Sequence, residues 1–275
     1  MVAQNNFMNW EDPGFAVITG ASSGLGATYS RILASQGFKP ILIARREKRL
    51  KEIAEEIKKS YSIEAEILVA DLSNLKDIER VADYIEKLDK IDVLINNAGF
   101  GTRGYFENTP FKRQIDMLFV HNVTPVYLTR AVLSKMIERG RGTIVFVSSV
   151  SAFTPNPQGV MYTATKLFLN GFAESLSLEL IDTGVYVQAL CSGYMITEFH
   201  EKDDFEGYDR SVLPDKMWQS TKDVVNQSLD AFKENKVIFI PGEMYQKLID
   251  LYKDPKFGKK IRERNIERYR IPRKK

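Results

Sequence analysis

Residues Thr19 to Gly26 read TGASSGLG, and no other run in this chain says more about its fold. A compact apolar run, Phe15 to Thr19, precedes it, and a helical pattern around Ala27 to Gln36 follows it. Glycines in such a turn let the backbone approach a pyrophosphate, which then meets the unpaired N–H groups at the helix N-terminus. The stretch therefore predicts a dinucleotide-binding turn between the first strand and the first helix.

The rest of the chain repeats the alternation of strand and helix. Further strands are predicted at 40–44, 64–70, 93–96, 142–148, 185–191 and 236–240, with helices at 47–59, 75–88, 111–139, 163–183 and 221–234. Pro125 is a place where the helix at 111–139 could bend or break. Short strands separated by helices indicate a parallel sheet with helices on both faces. We expect an α/β, doubly wound parallel sheet in three layers: one domain with a core at 14–197, a substrate lid at 198–219 and a C-terminal helical extension at 220–275.

Composition excludes several other classes of protein. Cys191 is the single cysteine and there are two histidines, which argues against a disulfide framework or a metal centre. The apolar runs are too short for a transmembrane helix, and the N-terminus lacks a signal-peptide pattern. We therefore expect a soluble cytoplasmic protein without a metal ion and without a nucleic-acid partner.

The net charge of +3 is unevenly distributed along the chain. The segment Lys253 to Lys275 contains eleven basic and three acidic residues. A basic tail of this kind is either a solvated helix face followed by a frayed end, or a contact for nucleic acid or an anionic membrane surface. The first interpretation is favoured, and the second stays open.

The end of the second predicted strand bears on the choice of cofactor. An NAD site usually has Asp or Glu there for the ribose 2′-hydroxyl, whereas this chain has Arg45 and Arg46. Guanidinium groups hold a 2′-phosphate well. Together with the glycine turn, this pair predicts NADP(H) as the cofactor.

Tyr162 and Lys166 are four residues apart and share one face of a helix if this segment is helical. Free tyrosine has a pKa near 10 and is a poor acid at neutral pH. A neighbouring ammonium favours the phenolate, so we expect Lys166 to lower the pKa of Tyr162. Tyr162 could then exchange a proton with a carbonyl or alcohol oxygen.

Several further motifs stand at ordered spacings. The chain has Asp71-Leu72, the run NNAG ending at Gly99, Asn122 within a predicted helix, and Ser149 placed 13 residues before Tyr162. In these features the sequence, from about Phe15 to Thr197, resembles the short-chain dehydrogenase/reductase family in its compact single-domain branch. The resemblance implies a Rossmann-type fold and an oxidoreductase that interconverts a carbonyl and an alcohol by hydride transfer.

The resemblance also implies roles for individual residues. Tyr162 would be the general acid or base, Ser149 would hold the substrate oxygen, Lys166 would also bind the nicotinamide ribose, and Asn122 would hold a water of the proton relay. His121 and Cys191 are expected to be structural. The cofactor-binding set implied by the motifs is Gly20, Ser22, Ser23, Gly24, Leu25, Gly26, Arg45, Arg46, Asp71, Leu72, Asn97, Ala98, Gly99, Tyr162, Lys166, Gly193 and Thr197.

One position departs from the family pattern, because Ser192 precedes Gly193 where a proline is usual. The segment after it is rich in aromatic residues and methionine, which favours an apolar carbonyl substrate such as an acyl chain, a steroid or an aromatic ketone. The same residues could instead close the core. The candidates are Phe100, Phe153, Met161, Tyr194, Met195, Phe199, Phe205, Tyr208, Met217 and Trp218.

The resemblance further implies a homodimer or homotetramer packed through the helices at 111–139 and 163–183. Two other functions remain open. One is a non-catalytic protein that senses NADP(H), and the other is a lipid carbonyl reductase docked on a membrane surface by its basic tail. A sugar-nucleotide epimerase is disfavoured by the glycine spacing and by the 78 residues that follow Thr197.

Overall fold

The computed structural model describes residues 11–200 and 213–268. A seven-stranded parallel sheet runs through it in the order β3-β2-β1-β4-β5-β6-β7. The strands are β1 (Phe15–Thr19), β2 (Lys39–Ala44), β3 (Glu66–Val69), β4 (Ile91–Asn96), β5 (Gly142–Ser149), β6 (Val185–Ser192) and β7 (Ile238–Phe239). The strand order reverses between β1 and β4, and in doubly wound sheets ligands bind outside the carboxyl ends of the strands at that point.

Helices cover both faces of the sheet, so the fold has the three layers expected. Those of the sheet and the C-terminal region are α1 (Gly24–Ser35), α2 (Glu47–Tyr61), α3 (Leu75–Glu86), α4 (Phe111–Leu118), α5 (Thr124–Glu138), α6 (Val160–Glu179), α7 (Thr221–Ala231), α8 (Glu243–Lys253) and α9 (Pro255–Arg268). Helices α1, α2 and α7 pack on one face of the sheet, and α3, α5 and α6 pack on the other.

The central strands are buried on both sides. Every residue of β4 and β5 is buried, and β2 is exposed only at Lys39. A strand between two helical layers needs this continuous apolar pattern, because neither of its faces meets water. The core is therefore two apolar layers, one on each side of the sheet.

The helix predicted at 111–139, with Pro125 as a place where it could bend or break, is interrupted in the structure. Residues Phe119–Val123 form a π-helical turn between α4 and α5, in which the N–H of Thr124 donates to the carbonyl of Phe119. Pro125 has no N–H with which to continue the α-helical ladder at this place, and its ring disfavours a regular turn before it. The interruption lies one turn before the proline, and it contains Asn122.

Helix α6 begins at Val160, three residues before the predicted start, so Tyr162 and Lys166 both lie within its first two turns. Strand β7 has two residues where five were expected. Residues 201–212, which belong to the predicted lid, lie outside the described part of the chain. The division into core, lid and C-terminal region therefore stays a prediction.

Candidate functional site

A large cavity of about 1150 Å³ opens at the carboxyl ends of the strands. The turns after β1, β2, β3, β4 and β6 and the end of β5 all contribute to its wall, as the topology requires. Of the predicted site residues, Gly26 and Asn122 do not line it. The others do: Gly20, Ser22, Ser23, Gly24, Leu25, Arg45, Arg46, Asp71, Leu72, Asn97, Ala98, Gly99, Ser149, Tyr162, Lys166, Gly193 and Thr197.

The turn after β1 has the backbone that its glycines suggest. Gly20 and Gly24 have φ of +66° and +54°, the left-handed region that favours glycine. A Cβ on Gly26 would lie 2.5 Å from the carbonyl oxygen of Gly20. Gly26 therefore lets α1 pack tightly against the turn, and the expectation that it lines the nucleotide cavity is not met.

Asn97 ties the end of β4 to the end of β1. Its Nδ2 donates to the carbonyl of Thr19 at 2.8 Å, while the Thr19 hydroxyl accepts from the backbone N–H groups of Asn97 and Ala98 at 2.9 Å each. These bonds hold the two strands where the sheet order reverses. The backbone of 97–99 thereby forms one wall of the cavity.

The two arginines after β2 differ in their surroundings. Arg46 donates to the hydroxyls of Ser22 and Ser23 at 3.0 and 2.7 Å, so its guanidinium lies against the glycine turn. Arg45 has no hydrogen-bond or ion-pair partner within the ranges described by the structure. Both line the cavity, and the fixed cation beside the turn is Arg46.

Tyr162, Ser149 and Lys166 meet at the base of the cavity. Ser149 is the last residue of β5, and its hydroxyl lies close enough to Tyr162 of α6 to lower the pKa of that phenol. The Nζ of Lys166 lies 5.5 Å from the centre of the Tyr162 ring and donates to the carbonyl of Val147 at 2.8 Å. The spacing of four residues on α6 thus brings the amine and the phenol together.

Burial dominates the electrostatics of this pair. It raises the pKa of Tyr162 above its usual value of 10, while the hydrogen bond from Ser149 lowers it. Burial also lowers the pKa of Lys166 to about 7. The expectation that Lys166 lowers the pKa of Tyr162 below its usual value is wrong for this structure, because the loss of water around the phenol is the largest effect and the opposing effect comes from Ser149.

Asn122 lies in the π-helical turn, behind the cavity wall. Its Nδ2 donates to the carbonyl of Thr165 at 3.0 Å, and its buried Oδ1 has no hydrogen-bond partner in the described structure. A buried, unpaired acceptor is a place where a water molecule can bind. The relay water assigned to Asn122 by the family resemblance stays a prediction.

His121 connects two walls of the site, and the sequence did not indicate this. The backbone N–H of Phe100 donates to its Nε2 at 3.0 Å, so the proton is on Nδ1, which donates to the Thr165 hydroxyl at 2.9 Å. That hydroxyl donates to the carbonyl of Tyr162 at 2.8 Å. Burial, followed by the charge of Lys166, lowers the pKa of His121 well below 6.5. His121 is thus a neutral residue with a structural role, as expected, and the structure that it supports is the candidate site.

The strand end beside Tyr162 is held by serine and tyrosine side chains. Ser148 donates to the carbonyl of Lys166 at 3.0 Å, and β6 continues through Ser192, the residue at the usual proline position. A Cβ on Gly193 would lie 2.1 Å from the ring of Tyr245, whose hydroxyl accepts from the N–H of Tyr194 at 2.9 Å. Only glycine fits between β6 and this ring.

The C-terminal region forms a wall of the cavity, which charge alone could not indicate. The hydroxyl of Tyr252 donates to the carbonyl of Pro155 at 3.1 Å, and Asn265 donates to Asn156 at 2.6 Å. Both partners lie in the loop between Ser149 and Tyr162. Helix α9 contributes Ile261, Arg264, Asn265 and Glu267 to the lining. The described part of the basic tail is therefore more than a solvated helix face.

Apolar side chains form a large part of the cavity lining. Phe199 packs edge-on against Tyr162 with ring centres 6.2 Å apart. Of the apolar candidates, Phe153, Met161 and Trp218 do not line the cavity, and Phe205 and Tyr208 lie outside the described residues. The apolar lining includes Phe100, Val150, Tyr194, Met195, Phe199, Leu213, Met217, Leu248 and Ile261.

A dinucleotide fits the donors of this cavity. The left-handed glycines leave the start of α1 open to a pyrophosphate, and Arg46 with two serine hydroxyls supplies donors for a further phosphate. The fold and the site define the class of doubly wound dinucleotide-binding domains. The family model for short chain dehydrogenase matches residues 14–206, so this chain belongs to the short-chain dehydrogenase/reductase family of oxidoreductases.

Similar proteins include one named as a reductase and one named as inactive. The chain is 35% identical over 189 residues to a very-long-chain 3-oxoacyl-CoA reductase of Anas platyrhynchos, covering 67% of this chain and 60% of that protein. It is 33% identical over 193 residues to the inactive hydroxysteroid dehydrogenase-like protein 1 of Homo sapiens, covering 70% and 58%. The matches thus span about three fifths of the length of these relatives.

Solved structures share the fold. A short-chain dehydrogenase from Sphingobium yanoikuyae in complex with NADPH superposes with a TM-score of 0.77 at 31% identity, covering 83% of this chain and 87% of that one. The family uses nicotinamide dinucleotides, binds small molecules and commonly forms oligomers. None of the helices within residues 11–200 and 213–268 is both long and apolar enough to cross a membrane.

Proposed function

We propose that the protein is an NADP(H)-dependent oxidoreductase that interconverts an apolar ketone or aldehyde and the corresponding alcohol. The meeting of Tyr162, Ser149 and Lys166 at the base of a cavity that Arg46 also lines carries the proposal. Residues that hold a dinucleotide and residues that handle a proton thus share one cavity. Membership of the family supports the same assignment.

The residues divide the work of carbonyl reduction as follows. Ser149 donates a hydrogen bond to the carbonyl oxygen and holds it beside Tyr162. Tyr162 gives its proton to that oxygen as the carbon is reduced, and NADPH, when bound, supplies the hydride. A protonated Lys166 favours the phenolate that remains after the proton is given up. Asn122 and His121 position α6 through Thr165.

The cofactor pocket comprises the remaining predicted residues. Gly20, Gly24 and the serines of the turn would bind the pyrophosphate and the adenosine phosphate, with Arg45 and Arg46 on the 2′-phosphate. Asp71 and Leu72 would flank the adenine, and the backbone of 97–99 its ribose. Gly193 and Thr197 would contact the nicotinamide half. We propose reduction as the direction, because the cytosolic nucleotide pool favours it with NADPH.

The apolar lining favours a bulky, hydrophobic carbonyl compound. The relative named as a very-long-chain 3-oxoacyl-CoA reductase points to a 3-oxoacyl chain as the first compound to try. The direct test is NADPH oxidation by the pure protein with a panel of 3-oxoacyl thioesters, aromatic ketones and steroid ketones. We expect turnover with at least one apolar class, and binding of NADPH without turnover of any member would refute the proposal.

That contrary result would favour a second function, a protein that binds NADP(H) without catalysis. The resemblance to a relative named as inactive is the observation behind it. Against it stands the presence of Asn122, Ser149, Tyr162 and Lys166 in one connected arrangement. Docking on an anionic membrane remains a further proposal for the basic tail, and sedimentation with anionic vesicles at low salt would test it.

We further propose that the protein forms a homodimer or homotetramer through α4, α5 and α6. These helices expose large apolar side chains that a monomer leaves in water. They are Phe111, Val126, Ile137, Val160, Leu167, Phe168 and Leu178.

A further inference from the structure

The anion nearest to the proposed phosphate-binding arginine belongs to the protein itself. The Nη1 of Arg46 donates to Oε2 of Glu198 at 2.8 Å. The same guanidinium donates to the hydroxyls of Ser22 and Ser23 through Nη2. The carboxylate therefore occupies a donor of the cation that a 2′-phosphate would use.

A second arginine joins this contact. The Nη2 of Arg49, one turn further along α2, lies 3.8 Å from Oε1 of Glu198. Glu198 thus interacts with two cations at the start of α2. The side chains of Arg46 and Glu198 are 41% and 40% exposed, so the pair meets water and can open without leaving a buried charge behind.

The position of Glu198 is fixed by its neighbours in the chain. Thr197 lies against the glycine turn, where a Cβ on Gly24 would be 3.1 Å from its Cγ2. On the other side, the Phe199 ring packs against Tyr162. A side chain between these two anchors stays close to the nucleotide cavity, which both Arg46 and Glu198 line.

We propose that Glu198 is a specificity-determining residue that restrains binding of 2′-phosphorylated nucleotides by competing for Arg46. This inference rests on the proposed use of Arg46 for the 2′-phosphate. A phosphate that reaches Arg46 must displace the carboxylate or lie beside it, and two like charges at close range repel. A nucleotide with a free 2′-hydroxyl carries no charge there and does not need Arg46.

Nucleotide binding to Glu198→Gln, measured by titration calorimetry, tests the proposal. The probes are NADPH and NADH, with adenosine 2′,5′-bisphosphate and 5′-AMP as fragments that lack nicotinamide. We expect NADPH and the bisphosphate to bind the variant about five-fold more tightly than they bind the wild type. A change of this size corresponds to the free energy of one exposed ion pair. NADH and 5′-AMP should change less than about two-fold.

A matched control removes a neighbouring negative charge that does not contact Arg46. Glu52 pairs with Arg49 at 3.5 Å on the same helix, so Glu52→Gln should leave all four affinities within about two-fold. Weaker NADPH binding by Glu198→Gln, or equal tightening for NADPH and NADH, would overturn the proposal. If instead the wild type binds neither NADPH nor NADH, the proposed function itself fails. That result differs from the two results that would overturn only the role of Glu198.

Discussion

The Nζ of Lys166 lies 5.5 Å from the centre of the Tyr162 ring, but it donates its hydrogen bond to the carbonyl of Val147 rather than to the phenol. Lys166 is buried and Tyr162 is half-buried, and the pKa values move in opposite directions, up for the phenol and down for the amine. In this arrangement burial favours the neutral form of each group. The lysine therefore sits near its own titration point at physiological pH.

The first prediction concerns the stability of the nucleotide-free protein. Burial lowers the pKa of Lys166 to about 7 in the folded chain, against 10.5 for a free lysine. Between these values the unfolded chain binds a proton that the folded chain does not, so this group makes the free energy of unfolding rise with pH. Lys166→Met lacks the effect. Because only the wild type gains stability as the pH rises, the Tm of the variant minus the Tm of the wild type should be larger at pH 7 than near pH 10. Thermal unfolding scans at the two pH values measure this difference. A pH-independent difference would contradict the assignment.

The second prediction concerns cofactor choice. Arg46→Ala should weaken NADPH binding by about 10- to 100-fold, the range of a lost charge-assisted hydrogen bond, and change NADH binding far less. Arg45→Ala should weaken NADPH less than Arg46→Ala, because Arg45 is not fixed against the glycine turn. Calorimetric titration of both nucleotides measures this. If a variant that carries both substitutions loses affinity equally for NADPH and NADH, the 2′-phosphate does not bind at these arginines.

The third prediction concerns a buried carboxylate at the amino-terminal ends of the strands, opposite the cavity. Asp92, fully buried at the start of β4, accepts hydrogen bonds from Arg139, Arg141 and the N–H of Gly14. Removing the charge of one buried partner leaves the others uncompensated, so Asp92→Asn should lower the free energy of unfolding by about 3 kcal/mol. Asp89→Asn is the control, because Asp89 is 95% exposed in its pair with Lys135. Denaturant melts that give equal losses for the two variants would count against this.

The fourth prediction concerns assembly. Leu167 is 48% exposed on α6, next to the 44% exposed Phe168. Leu167→Glu puts a charge on the face proposed to pack against a second copy, so the oligomer should dissociate to monomers in sedimentation velocity. Leu75→Glu, at a 40% exposed position on α3, should leave assembly unchanged. A variant at 167 that assembles like the wild type would exclude this face.

Most of the fold could be predicted from the sequence, because helix and strand differ in apolar periodicity and glycine marks the turns. The prediction placed β1 at its observed bounds and β2 to within one residue. Pro125 indicated that the helix at 111–139 could break, but the π-helical form of the break and its bounds at Phe119–Val123 could not be predicted, because an apolar pattern looks alike in one long helix and in two helices joined by a wider turn.

Site residues that belong to sequence motifs could be predicted, whereas contacts between residues far apart in the sequence could not. The residues at the carboxyl ends of the strands gather as the parallel topology requires. The contacts of His121 with Phe100 and Thr165, and of Glu198 with Arg46, join residues far apart in sequence or lack any motif. The role of α9 as a cavity wall likewise depends on how it packs against the loop at 153–157.

The most direct test of the account is carbonyl reduction by Tyr162→Phe, with NADPH binding measured on the same sample. Phenylalanine keeps the ring beside Lys166 and removes only the hydroxyl that gives the proton. With a carbonyl compound that the wild type reduces, we expect turnover to fall by at least about 100-fold, the contribution of a positioned general acid, while NADPH affinity changes less than about three-fold. Reduction at the wild-type rate by this variant would contradict the assignment of Tyr162 as the acid.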